Sequence, residues 1–396
     1  MKTGLSILIP AVATALILSS CGRTGVGDLV TFDYSRMKKG HDTLAVSELA
    51  VQPEFIALDS DTVDAFAYGS IIVTDNYIVR NVEAISIINK APVRVFDRHT
   101  GRFICNVGHL GRGPGEYLSS YCTFVDEKGG KVWIMNAGDH IKTYDLLSGK
   151  YIGDVPLAHE VREEFGAASA TFSVNPDAGT VTVAAIPYEY EEDSNPSIAW
   201  CQDMEGNIVW DIPKDGRERS RKQTNSLIRT AYNVEGLMDV NIYGGHDMPD
   251  TLYVLSDGVL SPVFTYDERS LKSGMSLSST LLPGKVLSHL TEEQETIPNV
   301  RVSMPTAMVI TDLKSGESVR YGLVMRNDFL GVDAGGGSFQ NGYMIQQFSA
   351  EEFRETGQQA LDQGLLSGSA ADQVRAILAD LKDTDNDVIM LARLKD

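Results

Sequence analysis

After Ser20 the chain has no uninterrupted apolar run of the roughly 20 residues a membrane-spanning helix needs, so the sequence offers no second hydrophobic segment to insert. Basic side chains are scarce: 34 Lys and Arg stand against 54 Asp and Glu, a formal charge of -20 over 396 residues. A surface this acidic repels phosphate, which argues against nucleic acid or an anionic bilayer surface as the partner. The seven histidines include no H-x-H or H-x-x-x-H pair, so a zinc site would need convergence from distant segments, and no metal is expected. No G-x-S-x-G nucleophile elbow occurs, and the carboxylates are too numerous for one pair to stand out. No catalytic residue and no cofactor is therefore assigned, and the chain reads as a binding protein rather than an enzyme.

Cysteine is also scarce. Four are present, and Cys21 has a separate role, which leaves Cys105, Cys122 and Cys201. That odd count allows one disulfide with a buried thiol, or none; Cys105 and Cys122, near the junction of two repeats, are the pair in question. Cys21 closes an apolar stretch that begins after Lys2 and runs from Leu5 to Ser20, the pattern of a secretory signal covering residues 1–20. Leu18-Ser19-Ser20-Cys21 resembles the lipobox of bacterial lipoproteins, in which the cysteine is acylated and becomes the mature amino terminus. The small residues that follow suit a tether, taken as 21–40, ahead of a folded body spanning 41–396.

What the chain has in abundance is one β-hairpin phrase. It occurs as Asp97-Arg98-His99-Thr100-Gly101, Asp145-Leu146-Leu147-Ser148-Gly149, Asp203-Met204-Glu205-Gly206 and Asp312-Leu313-Lys314-Ser315-Gly316. In each, an Asp can accept hydrogen bonds from the turn backbone and a Gly supplies positive φ before the next strand. The spacing of roughly 50 residues is that of a propeller blade. Five hairpin units and one composite unit are counted, giving an all-β, six-bladed β-propeller. The short apolar runs between Asp28 and Ser60 predict leading strands that help close the ring. The segment from Arg269 to Pro298, rich in Ser and Leu, reads as an insertion with a short helix near Ser288 to Thr296. Ser349-Ala350-Glu351-Glu352 is a capping box that predicts a short C-terminal helical insertion, in two pieces from Glu351 to Gln363 and Ala371 to Lys382, within the last blade. Val388 to Ala392 is the closing strand.

Two places carry a family resemblance. Gly108-His109-Leu110-Gly111-Arg112-Gly113-Pro114-Gly115-Glu116-Tyr117 resembles the G-x-x-G-x-G-P-G-E-[FY] signature of six-bladed, Tol-type, NHL-like propeller lipoproteins from Gram-negative gut anaerobes. Asp385 to Lys395 is similar to that family's closing strand, with Asn386-Asp387 where the family usually has Asn-Pro. The resemblance implies an outer-membrane lipoprotein. No acidic cluster follows Cys21, which points to the periplasmic face rather than the cell surface.

Gly111, Gly113, Pro114, Gly115 and Glu116 lack the Lys-Ser/Thr of a phosphate loop and are read as a structural crossover turn, with Glu116 bonding its free amides. Asp383 to Asp387 has alternating oxygen ligands but neither the central Gly nor the terminal Glu of a calcium loop. Tyr188, Tyr190, Glu191 and Glu192 combine aromatic faces with acceptors on one loop and are taken as the binding residues. The functional expectation is a lipid-anchored binding or scaffolding propeller, held to the membrane through its anchor, with a protein or glycan partner. The alternatives are a glycan- or peptide-processing hydrolase or lyase working in the axial channel, and a carbohydrate-capture accessory protein.

Overall fold

The computed structural model describes residues 28–59, 69–81, 91–136, 138–164, 167–186, 188–189, 195–214, 216–218, 227–243, 251–297, 300–335 and 337–396. Cys21 lies outside the described residues.

The repeated turn phrase organises the fold. Asp97 Oδ1 accepts from the Thr100 amide at 2.8 Å and the His99 amide at 3.0 Å, and Asp145 Oδ1 accepts from the Ser148 amide at 2.8 Å. Asp312 makes the same bond to the Ser315 amide at 2.7 Å, and Asp203 accepts from the Asn207 amide at 2.8 Å. Side-chain bonds from Thr100, Ser148, Asn207 and Ser315, reinforced by these amides, hold the four carboxyls below the usual carboxylate range. The glycine that ends each phrase lies against the outer strand of the preceding unit. At Gly149, with φ of 65°, a Cβ would fall 1.8 Å from the carbonyl oxygen of Asn106; at Gly101 it would meet the Ala57 carbonyl at the same distance. The phrase therefore both turns the chain and seats one blade on the next.

Among the described residues, seven sheets of three or more strands follow one another as blades, where six were expected. The first comprises Ser70–Val73, Tyr77–Asn81, Val93–Asp97 and Phe103–Val107, and the second Cys122–Asp126, Lys131–Met135, Gly138–Asp145 and Tyr151–Val161. The third runs through Ala170–Asn175, Thr180–Ala185, Ser197–Asp203 and Ile208–Pro213, and the fourth through Leu227–Arg229, Met238–Tyr243, Leu252–Ser256 and Val259–Tyr266. The fifth is built on Met275–Leu282, Lys285–Ile297, Val300–Asp312 and Ser318–Tyr321. The sixth is a reduced sheet of Val324–Asn327, Val332–Asp333 and Thr43–Ala45. The seventh joins Ser338–Gln340, Tyr343–Phe348 and Val388–Leu394 to Ala50–Ala57. The sixth went uncounted because two of its strands are very short and the third comes from far away in sequence.

The stretch read as an insertion with a helix is instead the paired strands Met275–Leu282 and Lys285–Ile297. Leu277, Leu281, Val286, Leu287 and Leu290 are buried there, so the pairing buries apolar side chains that an isolated short helix would have exposed. The tether also ends earlier than residue 40. Val30–Phe32, Lys38–Lys39 and Thr43–Ala45 lie parallel to the outer strands of the fourth, fifth and sixth blades in turn.

Ring closure joins the seventh blade to the first. Ala50–Ala57 supplies its outer strand, and Arg80 of the first blade, 1% exposed, bonds Asp387 at 2.8 Å. Burial nonetheless pushes the Asp387 carboxyl up, partly offset by Arg80. Asp387 thus latches the closing strand to the first blade. The helical pieces are Ala350–Asp362, capped by Ser349 accepting from the Glu352 amide at 3.2 Å, and Gly368–Asp380. Phe353 and Val374 pack with Phe55 and Phe348 of the last blade.

Candidate functional site

The first two strands of the fourth blade, the first three of the fifth, the innermost strand of the seventh and the reduced sixth sheet line a cavity of about 670 Å³. Its polar lining is Thr230, Asn241, Ser278, Ser279, Thr280, Ser338, Gln340 and His289; of these Thr230 already bonds Asp239, Asn241 bonds the Ser279 carbonyl and Ser279 shares a hydroxyl bond with Ser288. Its apolar lining includes Leu323, Val324, Met325, Phe339, Pro305 and Met308. Its charged lining residues are Arg229, Asp239 and Asp333; Arg229 Nε donates to Tyr121 Oη at 2.8 Å, and Asp333 pairs with Arg326 at 3.1 Å.

A crossing loop forms one boundary of this space. Asp239, 3% exposed, accepts from the amides of Ala231 at 2.9 Å and Tyr232 at 2.8 Å and from Thr230 Oγ1 at 3.0 Å. Burial raises its carboxyl above the ordinary range, and these donors oppose the rise. They hold Tyr232 at φ of 51°. Asn233 Nδ2 then donates to Leu281 O at 3.0 Å and Phe339 O at 3.1 Å, and its Oδ1 accepts from the Gly342 amide at 3.1 Å. One side chain therefore ties the fourth, fifth and seventh blades together across the ring.

His289 pairs in register with Ser278 and Met308 on the neighbouring strands, yet its ring makes no hydrogen bond among the described residues. Burial holds the imidazole below its ordinary value, so the ring is neutral at pH 7, one nitrogen donating and one accepting. Its contribution to stability is present above the unfolded-state value and is lost as pH falls through the folded one. His159, also lowered by burial, has the same sign. Thermal unfolding followed from neutral pH downward is thus expected to show a falling Tm through the ordinary imidazole range. A His289→Phe variant should show a shallower slope; an unchanged slope would remove His289 from this account.

The loop expected to bind contributes differently. Tyr188 is fully buried, packed with Ile186, Ile198 and Ile228, so it is a core residue with no face for a ligand. That expectation is corrected: an aromatic beside several acids was read as exposed, and packing between the third and fourth blades took the ring inside. Tyr190, Glu191 and Glu192 lie outside the described residues. The glycine-rich segment is a crossover in which Gly113 N donates to Glu116 Oε2 at 2.7 Å, Gly115 has φ of 73°, and a Cβ on Gly111 would strike the Glu116 carboxylate. Pro114 sits within this turn, and Tyr117 beyond it accepts from Val93 N at 2.8 Å and donates to Val107 O at 2.9 Å, fastening the crossover to the first blade.

Cys105 and Cys122 are separate thiols, near the carbonyls of Leu146 and Ala170, and Cys201 is likewise free. Burial pushes the first two up to about 11 and about 12, which leaves them protonated and inert as nucleophiles. Among the described residues, no group of three or more His, Cys, Asp or Glu side chains is placed to hold a metal ion, and no helix is long and apolar enough to cross a membrane. The cavity residues escaped sequence reading because Ser278, His289 and Gln340 are isolated in the chain and converge only through blade topology.

Comparison with known proteins fits this architecture. A candidate exported protein from Bacteroides fragilis NCTC 9343 is similar in structure, with 14% identity, a TM-score of 0.57, and coverage of 93% of this chain and 100% of that one. A member of the DUF4221 family from Bacteroides vulgatus ATCC 8482 is more distant, with 8% identity over 88% of this chain and 97% of that one and a TM-score of 0.41. At these identities the first likeness concerns the fold alone, and the second carries no argument. No curated protein matches the chain. The model of the family described as "Domain of unknown function (DUF4934)" matches residues 29–393, nearly the whole described body, and the chain belongs to that family.

Proposed function

We propose that this protein is a lipid-anchored binding propeller at the periplasmic face of the outer membrane, and that its axial cavity holds a small, uncharged, hydroxyl-bearing ligand of the saccharide class. The observation that carries the reading is the cavity's composition. Neutral hydroxyls, amides and an imidazole that makes no hydrogen bond among the described residues line it together with apolar side chains. Such a pairing suits a molecule with hydroxyl edges and a carbon-rich face. A neutral ligand is favoured because the lining charges of Arg229, Asp239 and Asp333 already have partners.

Anchoring rests on the lipobox ending at Cys21 and on the resemblance of Gly108 to Tyr117 to Tol-type, NHL-like propeller lipoproteins. The exported character attributed to the Bacteroides fragilis protein agrees with it. Removing Cys21 removes the acylation site, so Cys21→Ala expressed in a Gram-negative host should leave the membrane fraction.

A saccharide panel screened by thermal shift tests the binding reading. A ligand that raises the wild-type Tm should lose at least tenfold in affinity against His289→Ala, equivalent to about 1.4 kcal/mol. Equal affinity for both proteins, or no saccharide binding by the wild type, would overturn this use of the cavity.

A further inference from the structure

The outer strands of three successive blades expose large apolar side chains at one end of the ring. They are Leu147, Tyr151 and Ile152 on the second blade, Ile208 and Val209 on the third, and Val259 on the fourth, with exposures from 40% for Tyr151 to 60% for Val209. Each lies in or just after the turn joining the third strand of its blade to the fourth. Because those turns occupy equivalent positions in consecutive four-stranded antiparallel sheets, the residues share one face of the ring. The contacts between blades bear this out: Gly206 packs on Pro156 of the second blade's outer strand, and Gly258 on Trp210 of the third's.

The path of the N-terminal segment identifies what this face meets. Val30–Phe32 runs parallel to Val259–Tyr266, with Val30 beside Phe264 and Phe32 beside Tyr266. Followed backward from Val30, the chain heads toward the Val259 end, and Leu29, 46% exposed, is already on that course. Cys21 lies eight residues before Leu29, a span of at most about 28 Å when fully extended. That span is long enough for an acyl group on Cys21 to reach the turn-bearing face.

We infer that this apolar face rests on the lipid surface into which the Cys21 acyl chains insert, so that the ring is held in one orientation and its opposite end is turned away from the membrane. The inference rests on the anchoring reading above. The lipid surface is favoured over a second copy of the chain because Val30–Phe32 is entered from the patch's end of the fourth blade and the span back to Cys21 is long enough to return there. Partial insertion of side chains such as Ile152, Val209 and Val259 adds apolar burial to the anchor. The same turns carry Asp145, Glu205 and Asp257, and the chain is strongly acidic, so neutral headgroups suit this face better than anionic ones.

The test is photo-cross-linking of the full lipidated protein in phosphatidylcholine vesicles, with and without phosphatidylglycerol. Benzoylphenylalanine is placed at Ile152, at Val209 and, on the fifth-blade hairpin that extends toward the other end, at Met304. Mass spectrometry reads lipid adducts and, in the same sample, acylation of Cys21. The expected result is at least fivefold more lipid adduct at positions 152 and 209 than at 304, reduced by phosphatidylglycerol. Acylated protein with equal or no lipid adduct at the three positions would overturn the orientation and leave anchoring intact. Cross-links at 152 or 209 to a second copy would reassign the face to self-association and also overturn it. Absence of acyl groups on Cys21 would overturn anchoring and orientation together.

Discussion

Gly149→Ala is expected to destabilise the protein by at least about 3 kcal/mol, whereas Gly130→Ala in the same blade should cost only about 1 kcal/mol. Both glycines have φ of 65°, so the left-handed backbone penalty is shared. Their surroundings differ. A Cβ at Gly130 meets nothing within 4 Å, while one at Gly149 falls 1.8 Å from the Asn106 carbonyl on the first blade. Relief requires the second blade to move off the first, which breaks the Gly108 N to Gly149 O bond of 2.8 Å and disturbs the packing of Tyr144 and Val107. Urea unfolding of the two variants beside the wild type measures the difference. Equal losses would mean that the repeat glycine only shapes its turn and does not seat one blade on the next.

Asp239→Ala is expected to lower stability by about 3–5 kcal/mol, because it strands two buried backbone amides and a threonine hydroxyl at once. The loss should extend beyond the fourth blade. Without its anchor, Tyr232 has no reason to hold positive φ, and Asn233 then loses its bonds to the fifth and seventh blades. Asp239→Asn keeps one acceptor but turns an amide NH2 toward donors, so an intermediate loss is expected. Ligand affinity should fall with Asp239→Ala even under conditions where the variant stays folded, since the crossing loop bounds the cavity. A variant with wild-type stability would show that the loop is held by its other contacts.

The legibility of this fold in sequence follows from how local each interaction is. The Asp-to-Gly turns were readable because an Asx turn closes over a few residues and needs nothing from elsewhere. The helix beginning after Ser349 was readable for the same reason. The fifth blade was misread because its inner strand alternates Leu with Ser and Thr, and the serines and threonines facing the cavity look like loop composition until their neighbours are placed. The sixth sheet depends on Thr43–Ala45 pairing with Val324–Asn327, a contact that no local pattern announces. Tyr188 shows the converse error, since its acidic neighbours in sequence suggested exposure while its neighbours in space are aliphatic. The signal that could have found the cavity is hydroxyl and amide residues on strands one expects to be innermost, where a propeller has room for a ligand.

The central claim is that the axial cavity, and not a surface loop, is where this propeller meets its ligand. The most direct measurement is a crystal structure of the protein with the saccharide that gives the largest thermal shift. Density is expected between Ser278, His289 and Gln340, with ligand hydroxyls within hydrogen-bond distance of the imidazole and the carbon face against Phe339 or Leu323. Density for the intact ligand elsewhere with this cavity empty, or cleaved product within it, would contradict the account.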